Sequence, residues 1–256
     1  MTTVIAFSNQ KGGTGKTTSV MNTAGALAEM GKKVLLIDLD PQASLTLGFG
    51  IALAQVEQTL HDALLEPRKH NIDEFIYQIR DQIDLIPTNI SLANAELSLV
   101  NVRRREDRLK NLLRPVVDEY DLILIDCSPS LGLLVVNALS AANGVVIPMA
   151  ADYFSLAGVR LVLNSISDIR YDVNQRLKIY GVLPTRYKAN TNIAREAVEN
   201  VRESLSGSIH VFDTVIRETV RLTEAPAQGR MITEYSSKHY SAEEYRAFAV
   251  ELLQQI

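Results

Sequence analysis

The segment that most narrows the possible folds is Lys11-Gly12-Gly13-Thr14-Gly15-Lys16-Thr17-Thr18. It lies between the apolar run Val4–Phe7 and a stretch of helical period over Lys16–Met30. A buried strand that ends in a glycine-rich turn and reopens as a helix aims backbone N–H groups at one point, where the helix dipole also favours negative charge. Such a loop places Lys16 for the β- and γ-phosphates of a nucleotide and the Thr17 hydroxyl for Mg²⁺. Gly12, Gly13, Thr14, Gly15 and Thr18 supply the surrounding cradle. ATP with Mg²⁺ is the expected ligand. The general pattern for this loop has a glycine five residues before Gly15, and here that position is Gln10. Lys11 is an additional cation that the pattern does not require. It reads either as a solvated lysine at the loop edge or as a phosphate ligand acting across a subunit interface.

Short continuous apolar runs recur at Val4–Phe7, Val34–Leu39, Ile83–Ile86, Leu122–Ile125, Gly144–Pro148 and Ile179–Leu183. Apolarity without alternation marks strands buried on both faces, as in a parallel sheet. Helical period fills Arg105–Tyr120, Leu131–Ala142, Leu156–Arg170 and Thr191–Ser204 between them. The alternation predicts an α/β fold: a doubly wound, mostly parallel sheet flanked by helices, in a single domain over 1–256. Val211–Ile216 is expected to add a strand near the sheet edge. Ser241–Ile256 is expected to form a last helix, with Ser241 as N-cap and Glu243-Glu244 in the first turn.

A composition of 46% hydrophobic and 22% charged residues excludes a largely disordered chain. The net charge of −4 gives no global attraction to nucleic acid, so any DNA or anionic lipid contact needs a local patch. The single cysteine, Cys127, excludes an internal disulfide framework and a Cys-rich metal or iron–sulfur site within one chain. The N-terminal run lacks the features of a signal peptide, and no apolar run approaches the ~20 residues of a membrane span. A soluble, cytoplasmic protein is expected.

Asp126 ends an apolar strand, where a buried charge needs a partner or a metal. It reads as a direct or outer partner of Mg²⁺, with a structural ion pair as the alternative. Asp38 and Asp40 are two apart at another strand end. The alternative for Asp38 is an N-cap or turn former before Pro41.

Asn9-Gln10-Lys11-Gly12-Gly13-Thr14-Gly15-Lys16-Thr17-Thr18 resembles the deviant Walker A loop of the ParA/MinD ATPases. Lys11 matches their signature lysine, and Thr14 stands where valine is usual. Val34-Leu35-Leu36-Ile37-Asp38-Leu39-Asp40-Pro41-Gln42 is similar to their second nucleotide motif. Leu122-Ile123-Leu124-Ile125-Asp126-Cys127-Ser128-Pro129-Ser130 is similar to their Walker B region, with Ser128 where proline is common. Arg221-Leu222 and Glu224-Ala225-Pro226 resemble a late ParA segment. The resemblance, closest to partition ATPases without an N-terminal helix-turn-helix, implies a P-loop NTPase. It implies a homodimer with ATP sandwiched between subunits and Lys11 reaching the partner's nucleotide. It assigns Asp40 to orienting the attacking water and Asp38 to supporting phosphate and metal geometry. Hydrolysis would be slow until a ParB-like or other adaptor protein stimulates it. The ATP state would bind non-specific DNA on the nucleoid, to segregate or position a cargo.

Arg186, Lys188, Arg195, Arg202, Arg217, Arg221 and Arg230 cluster in the last third. Spacing alone makes Arg195 and Arg202, interleaved with Glu196, Glu199 and Glu203, a solvated helix face. The resemblance singles out Arg186, Arg217 and Arg221 as DNA contacts. Arg103-Arg104-Arg105 with Arg108 and Lys110 reads as a solvated helix. The alternative function is a MinD-like membrane-associated positioning ATPase, which needs an amphipathic last helix with a basic rim. Here Tyr245, Phe248, Ala249, Leu252 and Leu253 form an apolar stripe beside one base, Arg246, so packing on the domain is expected and a membrane is not. A metallocluster carrier would need more cysteines, and a metabolic ligase would need a small-substrate pocket.

Overall fold

The computed structural model describes residues 2–56 and 58–256. β1 (Thr3–Phe7) leads into α1 (Lys16–Glu29), β2 (Val34–Leu39), α2 (Ser44–Gly48) and α3 (Leu60–Leu65). β3 (Tyr77–Arg80), β4 (Ile83–Ile86), α4 (Ala93–Leu99), α5 (Arg108–Leu113), β5 (Leu122–Cys127) and α6 (Leu133–Ala141) follow. Then come β6 (Gly144–Ala150), α7 (Ser155–Asp172), β7 (Lys178–Thr185), α8 (Asn192–Leu205), α9 (Arg221–Ala227), α10 (Ile232–Tyr235) and α11 (Tyr240–Leu253).

Among the described residues the strands form one sheet in the order β3-β4-β2-β5-β1-β6-β7. All neighbours are parallel except β3, which runs antiparallel to β4 at one edge. Successive side chains point to opposite faces, so each central strand feeds two cores. Val4, Ala6, Leu35, Ile37, Ile123 and Ile125 face a layer that includes α3 to α8. Ile5, Phe7, Leu36, Leu122 and Leu124 face α1, α2, α10 and α11. This double burial is why the strands read as continuous apolar runs.

The predicted helix over Arg105–Tyr120 is three pieces: a 3₁₀ turn at Arg105–Asp107, then α5, then a 3₁₀ turn at Val117–Glu119. Pro115 follows the end of α5 closely and has no N–H to carry the ladder on. Among the described residues the expected strand Val211–Ile216 makes one isolated bridge, Val211 to Val182, and a second, Arg217 to Tyr187, lies just past it. Between them the Glu251 carboxylate accepts the N–H of Asp213 (2.6 Å) and of Thr214 (3.1 Å), so a side chain replaces the ladder. The last helix starts earlier than expected. His239 is its N-cap, its Nδ1 accepting the Ser241 N–H at 3.3 Å.

The apolar stripe of α11 is spent on this packing: Tyr245, Phe248, Ala249 and Leu252 are all buried. No helix among the described residues is long and apolar enough to cross a membrane.

Candidate functional site

The loop from Ser8 to Gly15 leaves the carboxyl end of β1, near the centre of the sheet, where an open α/β sheet offers its crevice. Gly13 and Gly15 have φ of 72° and 78°, a left-handed backbone that glycine adopts without strain. Neighbouring strands and helices hold the loop in place. The Thr185 hydroxyl, ending β7, donates to the Thr14 carbonyl at 2.7 Å. Arg186 Nη1 donates to the Gly13 carbonyl at 3.1 Å, and Asn9 Nδ2 to the Pro148 carbonyl at 2.7 Å. Gln10, the residue that departs from the general pattern, donates from Nε2 to Ser165 Oγ on α7 at 2.7 Å. A side-chain anchor therefore stands where other such loops have glycine. No side chain caps α1, and its first turn carries no acid, so its N-terminal amides are left to the crevice.

Lys16 is only 7% exposed, and its Nζ donates to the carbonyls of Asn9 (3.0 Å) and Lys11 (3.4 Å). Burial pushes its pKa down, opposed chiefly by the Asp126 charge. Asp126 is 1% exposed, and neither carboxylate oxygen has a hydrogen-bond partner among the described residues. Burial, and secondarily Asp38, push its pKa well up. Thr17 and Lys16 pull the other way, Thr17 being close but outside hydrogen-bonding geometry. A buried carboxylate with both oxygens unbonded is costly by itself and well disposed to a cation. No cluster of three or more His, Cys, Asp or Glu that could cage a metal exists among the described residues. A cation here would rest on one carboxylate, the Thr17 hydroxyl, ligand oxygens and water, which is how Mg²⁺ is usually held.

Asp38 sits beside Asp126 across the β2–β5 ladder, but its carboxylate is already engaged. Oδ2 accepts the Thr46 N–H (2.8 Å) and hydroxyl (2.7 Å), and Thr46 Oγ1 in turn accepts the Thr88 N–H at 3.0 Å. These bonds tie the end of β2 to α2 and to the segment after β4. Burial raises its pKa against those bonds. Asp40 is partly exposed at the crevice and accepts the Gln42 N–H through Oδ1 at 2.9 Å, which fixes its orientation. Cys127 is fully buried, and burial pushes its thiol pKa up, away from nucleophilic use.

A cavity of about 260 Å³ opens beside Gly13 and Gly15, lined by Thr18, Thr185, Arg186, Ile216, Leu222 and Tyr245 among others. Sequence reasoning missed Thr185 and Ile216. Thr185 had one usable signal, its place at the carboxyl end of an apolar run, since strand ends face the crevice.

The family model described as an AAA domain matches residues 2–179. The sporulation initiation inhibitor protein Soj of Bacillus subtilis is 43% identical over 249 residues, 97% of each chain. The chromosome partitioning protein ParA of Myxococcus xanthus is 39% identical over 98% of this chain and 87% of that one. The crystal structure of cobyrinic acid a,c-diamide synthase from Mycobacterium smegmatis with ADP and magnesium superposes with a TM-score of 0.87 at 35% identity. That match covers 99% of this chain and 95% of the other.

The chain belongs to the ParA/MinD family of ATPases.

Against the expectations that the ParA/MinD resemblance raised, the basic residues divide sharply. Lys11 forms an ion pair with Asp152, on the loop after β6, at 2.5 Å, both side chains about two-fifths exposed (42% and 41%). Arg186, its side chain 53% exposed, is paired with Glu218 at 2.8 Å as well as with the Gly13 carbonyl. Arg217 is paired with Glu244 and lies over the Tyr240 ring, 3.9 Å from its centre. Arg221, exposed at the start of α9, has no ion-pair partner among the described residues. Arg202 donates to the carbonyls of Phe212 and Asp213 and holds that loop. The expected solvated helix at Arg103–Lys110 is likewise corrected. Arg105 and Arg108 donate to backbone carbonyls of Val100, Leu65 and Arg103, binding turns together.

Proposed function

We propose that this protein is an ATP-dependent, dimerising switch ATPase that segregates or positions DNA or another cargo. The observation that carries the proposal is Asp126, a buried carboxylate with no hydrogen-bond partner, beside the buried Lys16 at the mouth of a glycine loop. Mg²⁺, held by Asp126 and Thr17, would neutralise charge on the phosphates. Lys16 would leave the loop carbonyls of Asn9 and Lys11 for the β- and γ-phosphates. The 260 Å³ cavity between Thr185 and Leu222 is suited to the base and sugar. Asp40, whose Oδ1 accepts the Gln42 N–H, would orient the attacking water. Phosphoryl transfer requires mainly such positioning and charge neutralisation.

Lys11 would complete the site of a second subunit by exchanging Asp152 for the partner's phosphate. Loss of that phosphate after hydrolysis would then release the dimer. Turnover would be slow without an adaptor protein. Arg221 is the best-supported DNA contact, because Arg186 and Arg217 already have acidic partners. The Soj and ParA relatives favour this reading over amide-forming chemistry like that named for the M. smegmatis protein. A membrane role is disfavoured because the α11 stripe is buried.

The test is DNA co-sedimentation with ATP, ADP and no nucleotide, for the wild type and Lys16→Ala. ATP-dependent binding that Lys16→Ala abolishes is expected. Binding indifferent to nucleotide would contradict the switch, and no binding would contradict the DNA role.

A further inference from the structure

The loop that follows Asp126, residues 128–132, joins β5 to α6. Near Asp126 its course is set by the sheet. At the far end, the support comes from another part of the chain. The Glu96 carboxylate, on α4, occupies the space where a side chain on Gly132 would lie. A Cβ at Gly132 would stand 1.8 Å from Glu96 Oε1 and 2.5 Å from its Cδ. The same Oε1 faces the first turn of α6, 3.5 Å from the Leu134 N–H that donates to it.

Helix α6 needs such a partner. Its N-cap is Gly132, no side chain of its own caps it, and its first turn contains no acid. A carboxylate at a helix N-terminus is favoured by the unpaired N–H groups and the dipole. Three further bonds hold the neighbouring segment on α6. Asn137 Oδ1 accepts the Leu109 N–H (3.0 Å), Asn137 Nδ2 donates to the Arg105 carbonyl (2.7 Å), and Ser140 Oγ donates to Asp107 (2.8 Å). Glu96 and the segment Arg105–Leu109 are thus both bonded to the helix that begins where the loop ends. Within the loop the Ser128 and Ser130 hydroxyls are bonded to each other at 3.1 Å, and Pro129, Ser130 and Leu131 are exposed.

We infer that Glu96 is a positioning residue for the loop after Asp126: it fixes the far end of that loop from α4 and thereby couples α4 to hydrolysis. Glu96 acts through Gly132 and α6 and does not touch nucleotide. Gly132 is the complementary half of the device, because only a residue without a side chain leaves room for the carboxylate. The inference rests on the ATPase reading above.

The chain has no tryptophan, so Leu131→Trp, at an exposed loop position, gives a reporter whose emission follows the loop when Mg–ATP or Mg–ADP is added. The experiment compares this reporter chain with its Glu96→Ala, Glu96→Gln, Gly132→Ala and Glu96→Ala/Gly132→Ala versions, reading emission, nucleotide Kd, turnover and Tm. Glu96→Ala is expected to erase most of the difference in emission between ATP and ADP. It should lower kcat about tenfold with Kd changed less than about threefold, the size typical of residues coupled through a network. Glu96→Gln, which keeps the shape and an acceptor, should retain most of both. Gly132→Ala should impair turnover when Glu96 is present and add little once Glu96 is alanine, the non-additivity expected of touching residues. Equal emission and kcat in the wild-type and Glu96→Ala reporters would overturn the inference, as would effects that merely track Tm. A reporter chain that neither binds nor hydrolyses ATP would instead overturn the ATPase reading itself.

Discussion

The crevice at the ends of β1 and β5 and the arginine-rich last third of the chain are both polar, yet they satisfy their polar groups in opposite ways. In the crevice, Asp126 has two buried oxygens with no partner, and α1 starts without a cap. In the last third, Arg186 has Glu218, Arg217 has Glu244 and Tyr240, and Arg246 has Glu29 and Glu243. Residue type does not separate these regions, since both hold charges at motif-like positions. The unmet capacity of a buried carboxylate sets Asp126 apart from these three arginines. A buried group left unsatisfied lowers stability until something binds, whereas a paired arginine has its valence filled by the fold.

The largest effect expected from this contrast is at Lys16. Lys16→Ala should weaken ATP binding by about 100-fold or more, equivalent to roughly 3 kcal/mol, measured by calorimetric titration with Mg²⁺ present. Next comes Asp126→Asn, which should stabilise the ligand-free protein by removing an unpaired buried charge, raising Tm by about 3–6 °C at pH 7.5. The same contrast has a pH signature. Asp126 in the fold holds its proton more tightly than in the unfolded chain. Ligand-free stability should therefore decline as pH rises from about 4, the ordinary carboxylate range, through the raised native value. Asp126→Asn should flatten that decline in urea titrations at several pH values.

Smaller effects test the paired region. Arg217→Ala should cost about 1–2 kcal/mol of stability, because it leaves the largely buried Glu244 without its cation and uncovers the Tyr240 ring. Arg221→Ala should change stability by less than about 0.5 kcal/mol. It should nonetheless weaken DNA binding in the ATP state and reduce the salt slope by about one. If the two arginines exchanged behaviour in urea titrations and salt-dependent DNA binding, pairing would be a poor guide to which cations are available.

The parts of this molecule legible in its sequence are those where one local pattern decides the outcome. β1, β2, β5 and β6 read as largely apolar runs because helices cover both faces of the sheet. The glycine loop reads because its backbone demands glycine at Gly13 and Gly15. β3 was invisible, since an edge strand such as Tyr77–Arg80 is partly exposed and carries polar residues. The Val211–Ile216 expectation failed because Glu251, some forty residues later, takes the N–H groups that a ladder would have used. The placement of Arg186 against Gly13 is also a long-range choice of partner, and Asp38 is engaged by Thr46 in the next helix. Position in a motif nominates such residues, and partners distant in sequence are not written in that motif.

The most direct test is thermal denaturation of the wild type and Asp126→Asn with ATP, each in the presence of Mg²⁺ or of a chelator. The account predicts that the wild type starts lower and gains several °C only when Mg²⁺ and ATP are both present, while Asp126→Asn starts higher and gains little from Mg²⁺. Equal starting temperatures with the same Mg²⁺-dependent gain in both proteins would contradict the claim that the unsatisfied Asp126 carboxylate marks the metal–nucleotide site.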